Sequence, residues 1–260
     1  MQSLFARKAK NHNNKSHKQG NSRPSCIARS LLFFLRTDDT HWCAAARADS
    51  KTANAQTLYE RFARYAMDID VGVHFVAQSM QRARQRPFAF LDLGFAPGGM
   101  SAMLLNSHRH IEGVGVTLEP GIGGNVFPKW LSRHSRFRVE TGDVLSMALK
   151  QKRFQTPSSC RMFDLVIVGI TVSGSSQADD CDAYVLKDLL LWSQLLLGFQ
   201  QLKKGGMMLI RGYLSLRPLE FEVLHFLSKC FRKHPTATKP LTGLPLGSAI
   251  FTIIPCAFMC

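Results

Sequence analysis

Residues 90–105 read FLDLGFAPGGMSAMLL, and the fold turns on how this stretch is taken. Together with the two residues before it, FAFLDLG (88–94) is an apolar run that ends in a turn former, as a buried strand does. GGMSAMLLNS (98–107) follows at once with a helical pattern. The junction holds three glycines and a proline. Gly94, Gly98 and Gly99 lack a Cβ and tolerate positive φ, so a ligand can come close to the backbone there. Pro97 fixes its own φ and stiffens the turn before the helix begins. A glycine turn is also an ordinary way to join a strand to a helix, so the turn alone names no ligand. Its spacing does exclude some. Gly94-x-x-x-Gly98-Gly99 is not the G-x-G-x-x-G of dinucleotide-binding proteins, and no GK[ST] follows to make a phosphate-binding P-loop.

Outward from this turn, strands and helices alternate. AQTLYERFARYAM (55–67) has a helical pattern and precedes the first strand. After it come the strand candidates GVGVTL (113–118) and RFRVETGD (136–143), the helical VLSMALKQKR (144–153), and the continuous apolar run FDLVIVGI (163–170). Asp182 to Lys204 is the longest apolar-periodic segment. Its Lys203-Lys204-Gly205-Gly206 ending predicts a helix C-terminus there. MMLIRGYL (207–214) reads as a strand, LEFEVLHFLSKCF (219–231) as a helix and SAIFTIIPCAF (248–258) as a last strand. Strands separated by helices at this spacing need crossovers. The expected fold is α/β, a doubly wound, mostly parallel sheet of about seven strands with helices on both faces. Ligands of such sheets bind beyond the carboxyl ends of the strands, where the strand order reverses. The opening turn lies at such an end.

The first 55 residues differ from the rest. Before the first acid, Asp38, they carry Arg7, Lys8, Lys10, Lys15, Lys18, Arg23, Arg29 and Arg36, spaced largely by Asn, Gln, Ser and His. So polar a stretch cannot bury enough apolar surface to offset its ordering entropy, and residues 1–55 are expected to form a disordered basic extension to a domain at 56–260. SLLFFLRT (30–37) is far too short to span a bilayer. The net charge of +15 points to an anionic partner, with nucleic acid ahead of a membrane surface. A tail that only maintains solubility, or an organelle-targeting segment, remains an alternative reading of the extension. The seven cysteines form no CxxC pair and no cluster with histidine, so no metal site is expected. Reduced thiols suit an intracellular protein, of cytoplasm or nucleus, with the mitochondrion as the alternative.

LDLGFAPGGMSAML (91–104) resembles the first S-adenosylmethionine-binding motif of FtsJ-like ribose 2'-O-methyltransferases, of the form LDLGxAPGGxS. GVGVTLEP, ETGDV, FDLVIVGITVSG and LKKGGMMLIRGY are similar to the later motifs, in the family's order, so that the resemblance spans about residues 56–258. It implies a Rossmann-like class I methyltransferase fold that binds S-adenosylmethionine and acts on RNA. By the same resemblance Gly94, Phe95, Ala96, Pro97, Gly98 and Gly99 would hold the methionine end of the cofactor, with Met100 where the family usually has an aromatic. Thr117 stands where an acid normally meets the ribose hydroxyls. Glu119, two residues on and of the same facing, is a substitute. Asp143 matches the acid that accepts from the adenine amino group; it would equally serve as the N-cap of the next helix. Gly169 closes the cofactor set.

The family is associated with a Lys-Asp-Lys-Glu catalytic set, and here that set is eroded. Gly169 stands for the aspartate, Arg211 for the central lysine and Ala249 for the glutamate. No lysine lies between Lys51 and Lys129 to supply the first member. A desolvated lysine can serve as a base, whereas arginine keeps its proton throughout the physiological range. Arg211 could still hold a phosphate or orient a hydroxyl, or simply reach solvent from a strand end. Two functions follow. One is an RNA methyltransferase with altered catalysis; the other is an inactive descendant that binds cofactor or RNA.

Overall fold

A computed structural model describes residues 55–119, 122, 124–169, 180–213, 218–231, 236–238 and 248–253. The expected basic extension therefore lies outside the described residues, except for Ala55. Helices α1 (Ala55–Val73) and α2 (Phe75–Gln85) lead into β1 (Phe88–Leu93), α3 (Gly99–Ser107) and β2 (Ile111–Thr117). Next come α4 (Lys129–Ser132), β3 (Phe137–Thr141), α5 (Val144–Leu149), β4 (Phe163–Val168) and α6 (Asp180–Gln201). The chain continues with β5 (Leu202–Tyr213), α7 (Pro218–Cys230), β6 (Thr236–Thr238) and β7 (Ser248–Ile253).

The strands form one seven-stranded sheet in the order β3-β2-β1-β4-β5-β7-β6. Pairs from β3 through β5 are parallel, and β7 runs antiparallel to both β5 and β6. The order reverses at β1, whose neighbours are β2 and β4. This is the doubly wound sheet that the alternation implies, and its switch point lies at the glycine turn.

Because side chains alternate across a strand, the sheet sorts its residues into two cores. Phe88 and Phe90 of β1, Leu165 and Ile167 of β4, and Met207 and Leu209 of β5 pack against α1, α2 and α3. Ala89, Leu91 and Leu93, Val166 and Val168, and Met208 and Ile210 pack against α5, α6 and α7. Both faces are apolar, which is why these strands read as continuous hydrophobic runs.

One boundary departs from the sequence reading. The long helix ends at Gln201, not at Lys204, and β5 begins at Leu202 instead of Met207. Leu202 pairs with Phe163 and Met207 with Leu165, so residues 203–206 bulge opposite Asp164. Of the two lysines that resemble a helix ending, Lys203 serves the bulge: its Nζ donates to buried Asp164 at 2.9 Å, and Gly205 takes a φ of 74°. Gln201 anchors the junction, its Oε1 accepting from Phe154 N at 2.8 Å. Strand pairing and a buried carboxylate outweigh a local capping pattern. Helices α2 and α4 and the three-residue β6 carried too weak a pattern to be expected, and residues 254–258 of the last strand candidate lie outside the described residues.

Candidate functional site

The parallel registers align Asp92 with Ile167 and Ile167 with Leu209 across β1, β4 and β5. Two residues further along, on the same face, the row reads Gly94, Gly169, Arg211. Two of its three members have no side chain, and the third has a long one that lies across them. Arg211 Nη2 donates to the carbonyl oxygens of Gly169 at 2.8 Å and Gly94 at 3.1 Å. Its guanidinium carbon stands 5.1 Å from the centre of the Phe62 ring of α1, a cation–π contact. A Cβ on Gly169 would fall 2.2 Å from Nη2. The arginine thus occupies the space that any side chain at 169 would fill, and glycine at 169 is what lets it lie there.

Under this row the polar atoms are only partly matched. Asp92 is buried, and its Oδ2 accepts from Ser101 Oγ at 2.7 Å. Its Oδ1 and Arg211 Nε are both buried without a hydrogen-bond partner among the described residues. Burial raises the Asp92 carboxyl above the ordinary carboxylate range; the Arg211 charge and the Ser101 bond oppose this only in part.

The glycine turn is positioned from three sides. Gly94 N and Phe95 N both donate to Val116 O of β2, at 2.8 and 3.2 Å. Gly94 has a φ of 89° and Gly98 one of 99°, conformations that disfavour a Cβ. Gly99 meets a different constraint, since a Cβ there would lie 2.3 Å from Ala63 N. Helix α1 therefore rests directly on the start of α3. Phe95 and Met100 turn into the core, Phe95 against Phe127 and Phe137, so their side chains build the scaffold under the turn. Ala96, Pro97, Gly98 and Gly99 are buried as well.

The remaining candidates line the neighbouring strand ends. Thr117 is buried at the end of β2 beside Thr141, and its carbonyl accepts from Gly142 N at 3.0 Å. Glu119 is exposed in the turn beyond, its carbonyl accepting from Ile122 N and Gly124 N. Asp143 caps α5: its Oδ1 accepts from Leu145 N and its Oδ2 from Ser146 N, both at 3.1 Å. Ser146 Oγ adds a third bond to Oδ2. Gly142, Asp143, Ser146, Met147, Lys150 and Lys152 line an open depression of about 530 Å³. Ala249 pairs with Gly212 through β7 and β5, next to the Arg211–Ile250 pair.

The structure thus joins Gly94, Gly169 and Arg211 into one contact, with Thr117 and Asp143 on the adjoining strand ends. It adds two residues absent from the sequence reading. Asp92 carried a signal, as a lone acid inside an apolar strand. Phe62 carried none, because nothing local to α1 announces a contact with β5. Among the described residues no group of three or more His, Cys, Asp or Glu could hold a metal ion, and no helix is long and apolar enough to cross a membrane.

The fold has counterparts among solved structures. A ribosomal RNA methyltransferase of Plasmodium falciparum superposes with a TM-score of 0.52 at 14% identity, covering 76% of this chain and 98% of that one. Human methyltransferase-like protein 13, in complex with SAH, gives a TM-score of 0.46 at 12% identity over 74% of this chain and 78% of its own. An O-methyltransferase family protein of Burkholderia thailandensis gives 0.46 at 13% identity, covering 88% of this chain and 68% of that one. No curated protein matches the chain in sequence. Residues 68–252 match the model of the FtsJ-like methyltransferase family, well over half of the chain. With the strand order, the switch point and the LDLGFAPGG turn in agreement, the chain belongs to the FtsJ-like methyltransferase family.

Proposed function

We propose that the protein binds S-adenosylmethionine at the carboxyl ends of β1, β2 and β3 and acts on RNA at ribose 2'-hydroxyls, with catalysis weakened by its own substitutions. The observation that carries this reading is the turn from Gly94 to Gly99 at the switch point, with two glycines at positive φ. The residues present fit the cofactor. Asp92 Oδ1 and Arg211 Nε are orphaned polar atoms beside that turn, and the Thr117 and Asp143 ends lie next to it in the strand order. When bound, the cofactor supplies an electrophilic sulfonium methyl.

This chain's own residues set the limits. A guanidinium spanning Gly94 O and Gly169 O can orient an acceptor hydroxyl or hold a phosphate, but it takes no proton. Position 169 offers no carboxylate, and Asp92 lies buried beneath the row. Losing a positioned proton acceptor costs about 10²- to 10⁴-fold in rate. The same arrangement supports a second reading, a cofactor- or RNA-binding module without turnover.

Calorimetry with S-adenosylmethionine, beside transfer of labelled methyl to total RNA, decides between them. Micromolar binding, about −8 kcal/mol, that disappears in Gly98→Asp is expected. Equal binding by wild type and variant would remove the cofactor proposal. Slow transfer that responds to Arg211→Ala supports the enzyme; binding with no transfer to any RNA supports the module.

A further inference from the structure

The sheet separates charge by direction. The segments that enter β1 to β4 contain no Asp or Glu at all, residues 86–87, 108–110, 133–136 and 150–162, and neither does the bulge at 203–206 that opens β5. They carry Arg86, the run His108-Arg109-His110, the run Arg133-His134-Ser135-Arg136, Lys150, Lys152, Arg153, Arg161 and Lys203-Lys204, of which Lys150 and Lys152 line the depression beside Asp143 and do not belong to this rim. The segments leaving β1 to β4, which include the glycine turn, carry no Lys or Arg at 94–98, 118–128, 142–143 and 169–179. The two acids at the start of β2 and β4 do not offset this rim. Glu112 is buried, accepting from Thr156 and Ser158, and Asp164 is buried between Arg86 and Lys203.

The cations are drawn together by backbone contacts. Arg136 Nη1 donates to the carbonyls of His108 and Ile111, at 2.8 and 2.7 Å, and Nη2 to Leu105 at 2.8 Å. This holds the β3 entry against the β2 entry, where the rings of His108 and His110 lie 5.2 Å apart. Arg84, Arg109 and Arg133 are exposed and make no ion pair among the described residues. The His108 imidazole is correspondingly held below its ordinary value, by partial burial first and then by the charges of His110, Arg84, Arg109 and Arg136.

We propose that this amino-end rim, on the side of the sheet opposite the glycine turn, is a docking surface for single-stranded RNA. A phosphodiester chain supplies the counter-charge that the rim lacks, and arginine forks match phosphate geometry. The rings of His108 and His110 give unpaired bases something to stack on. The inference rests on the RNA reading above for the class of ligand, but not on the cofactor site.

The test uses the full-length protein, a labelled single-stranded oligouridylate and a salt titration, with the triple variant Arg84→Gln/Arg109→Gln/Arg133→Gln and with His110→Ala. Each lost phosphate contact lowers the salt slope by about 0.7, so the triple variant should flatten it by about 2. Loss of stacking in His110→Ala should weaken binding by about tenfold. Cations of the N-terminal segment contribute equally to every variant, so the difference isolates the rim. An unchanged slope in the triple variant overturns the proposal, as does loss of binding to phosphatidylserine vesicles with RNA binding intact. Calorimetric binding of S-adenosylmethionine, expected unchanged in the triple variant, reads the function proposal separately.

Discussion

Two adjacent residue types explain much of the site. Arginine at 211 lies flat only because 169 is glycine, and the pair should behave as one unit. Gly169→Ala is expected to displace the guanidinium and remove two charge-assisted hydrogen bonds and the Phe62 contact, at about 1–3 kcal/mol. In an Arg211→Ala background the same change should cost under about 0.5 kcal/mol. A double-mutant cycle by chemical denaturation measures that coupling. It also follows that Gly169→Asp needs Arg211→Lys beside it before a carboxylate can sit in the row. Asp164, at the other end of β4, makes a pH prediction. Burial pushes its carboxyl up, but donors from Arg86, Ala89 N and Lys203 together hold it below the ordinary value. A depressed acid stabilises the fold above its unfolded value and loses that contribution as pH falls through the folded one. Asp164→Asn should therefore lower stability by about 1–3 kcal/mol at neutral pH, and the gap should close below about pH 4. A gap independent of pH would assign the loss to packing alone.

At the scale of elements, short helices and turns carry double duty. Asp143 closes the start of α5 with both carboxylate oxygens, so Asp143→Ala should cost about 0.5–2 kcal/mol of stability whatever else the residue does. Its proposed part in cofactor recognition is a separate quantity. If the carboxylate also accepts from the adenine amine, S-adenosylmethionine affinity per folded molecule should fall by a further 1–3 kcal/mol or so. Thermal melting and calorimetry on the same samples tell the two apart. Helix α1 has the other double role. Resting on Gly99 while offering Phe62 to Arg211, it ties the start of α3 to the end of β5. The helix start and the strand end that face the turn are thereby held by one helix, some 30 residues upstream of the motif that identifies the family.

Over the whole molecule, charge is distributed in two reservoirs, the N-terminal segment and the amino-end rim. Removing residues 1–54 takes away ten Lys/Arg and three Asp and lowers the net charge from +15 to +8, leaving α1 intact. If that segment adds phosphate contacts, the truncated protein should bind RNA with a shallower salt dependence. A salt slope identical to that of the full chain would confine the contacts to the folded domain. The sequence by itself determined the fold class and the place of the candidate site. Continuous apolar runs mark strands covered on both faces, and LDLGFAPGG marks the switch-point turn, because these signals are local and each residue carries its own part. Local signals also misled, at Lys203–Gly206, where a helix-ending pattern serves a bulge around a buried carboxylate. Only tertiary structure decided what Arg211 does. Its partners, Phe62, Gly94 and Gly169, come from α1 and from the residues just past β1 and β4, and a guanidinium reaches all three only when parallel register brings their backbones into one row. The same holds for the cationic rim. Its members are scattered from Arg84 to Lys204 in sequence, and parallel crossovers gather the entries of five strands at a single edge.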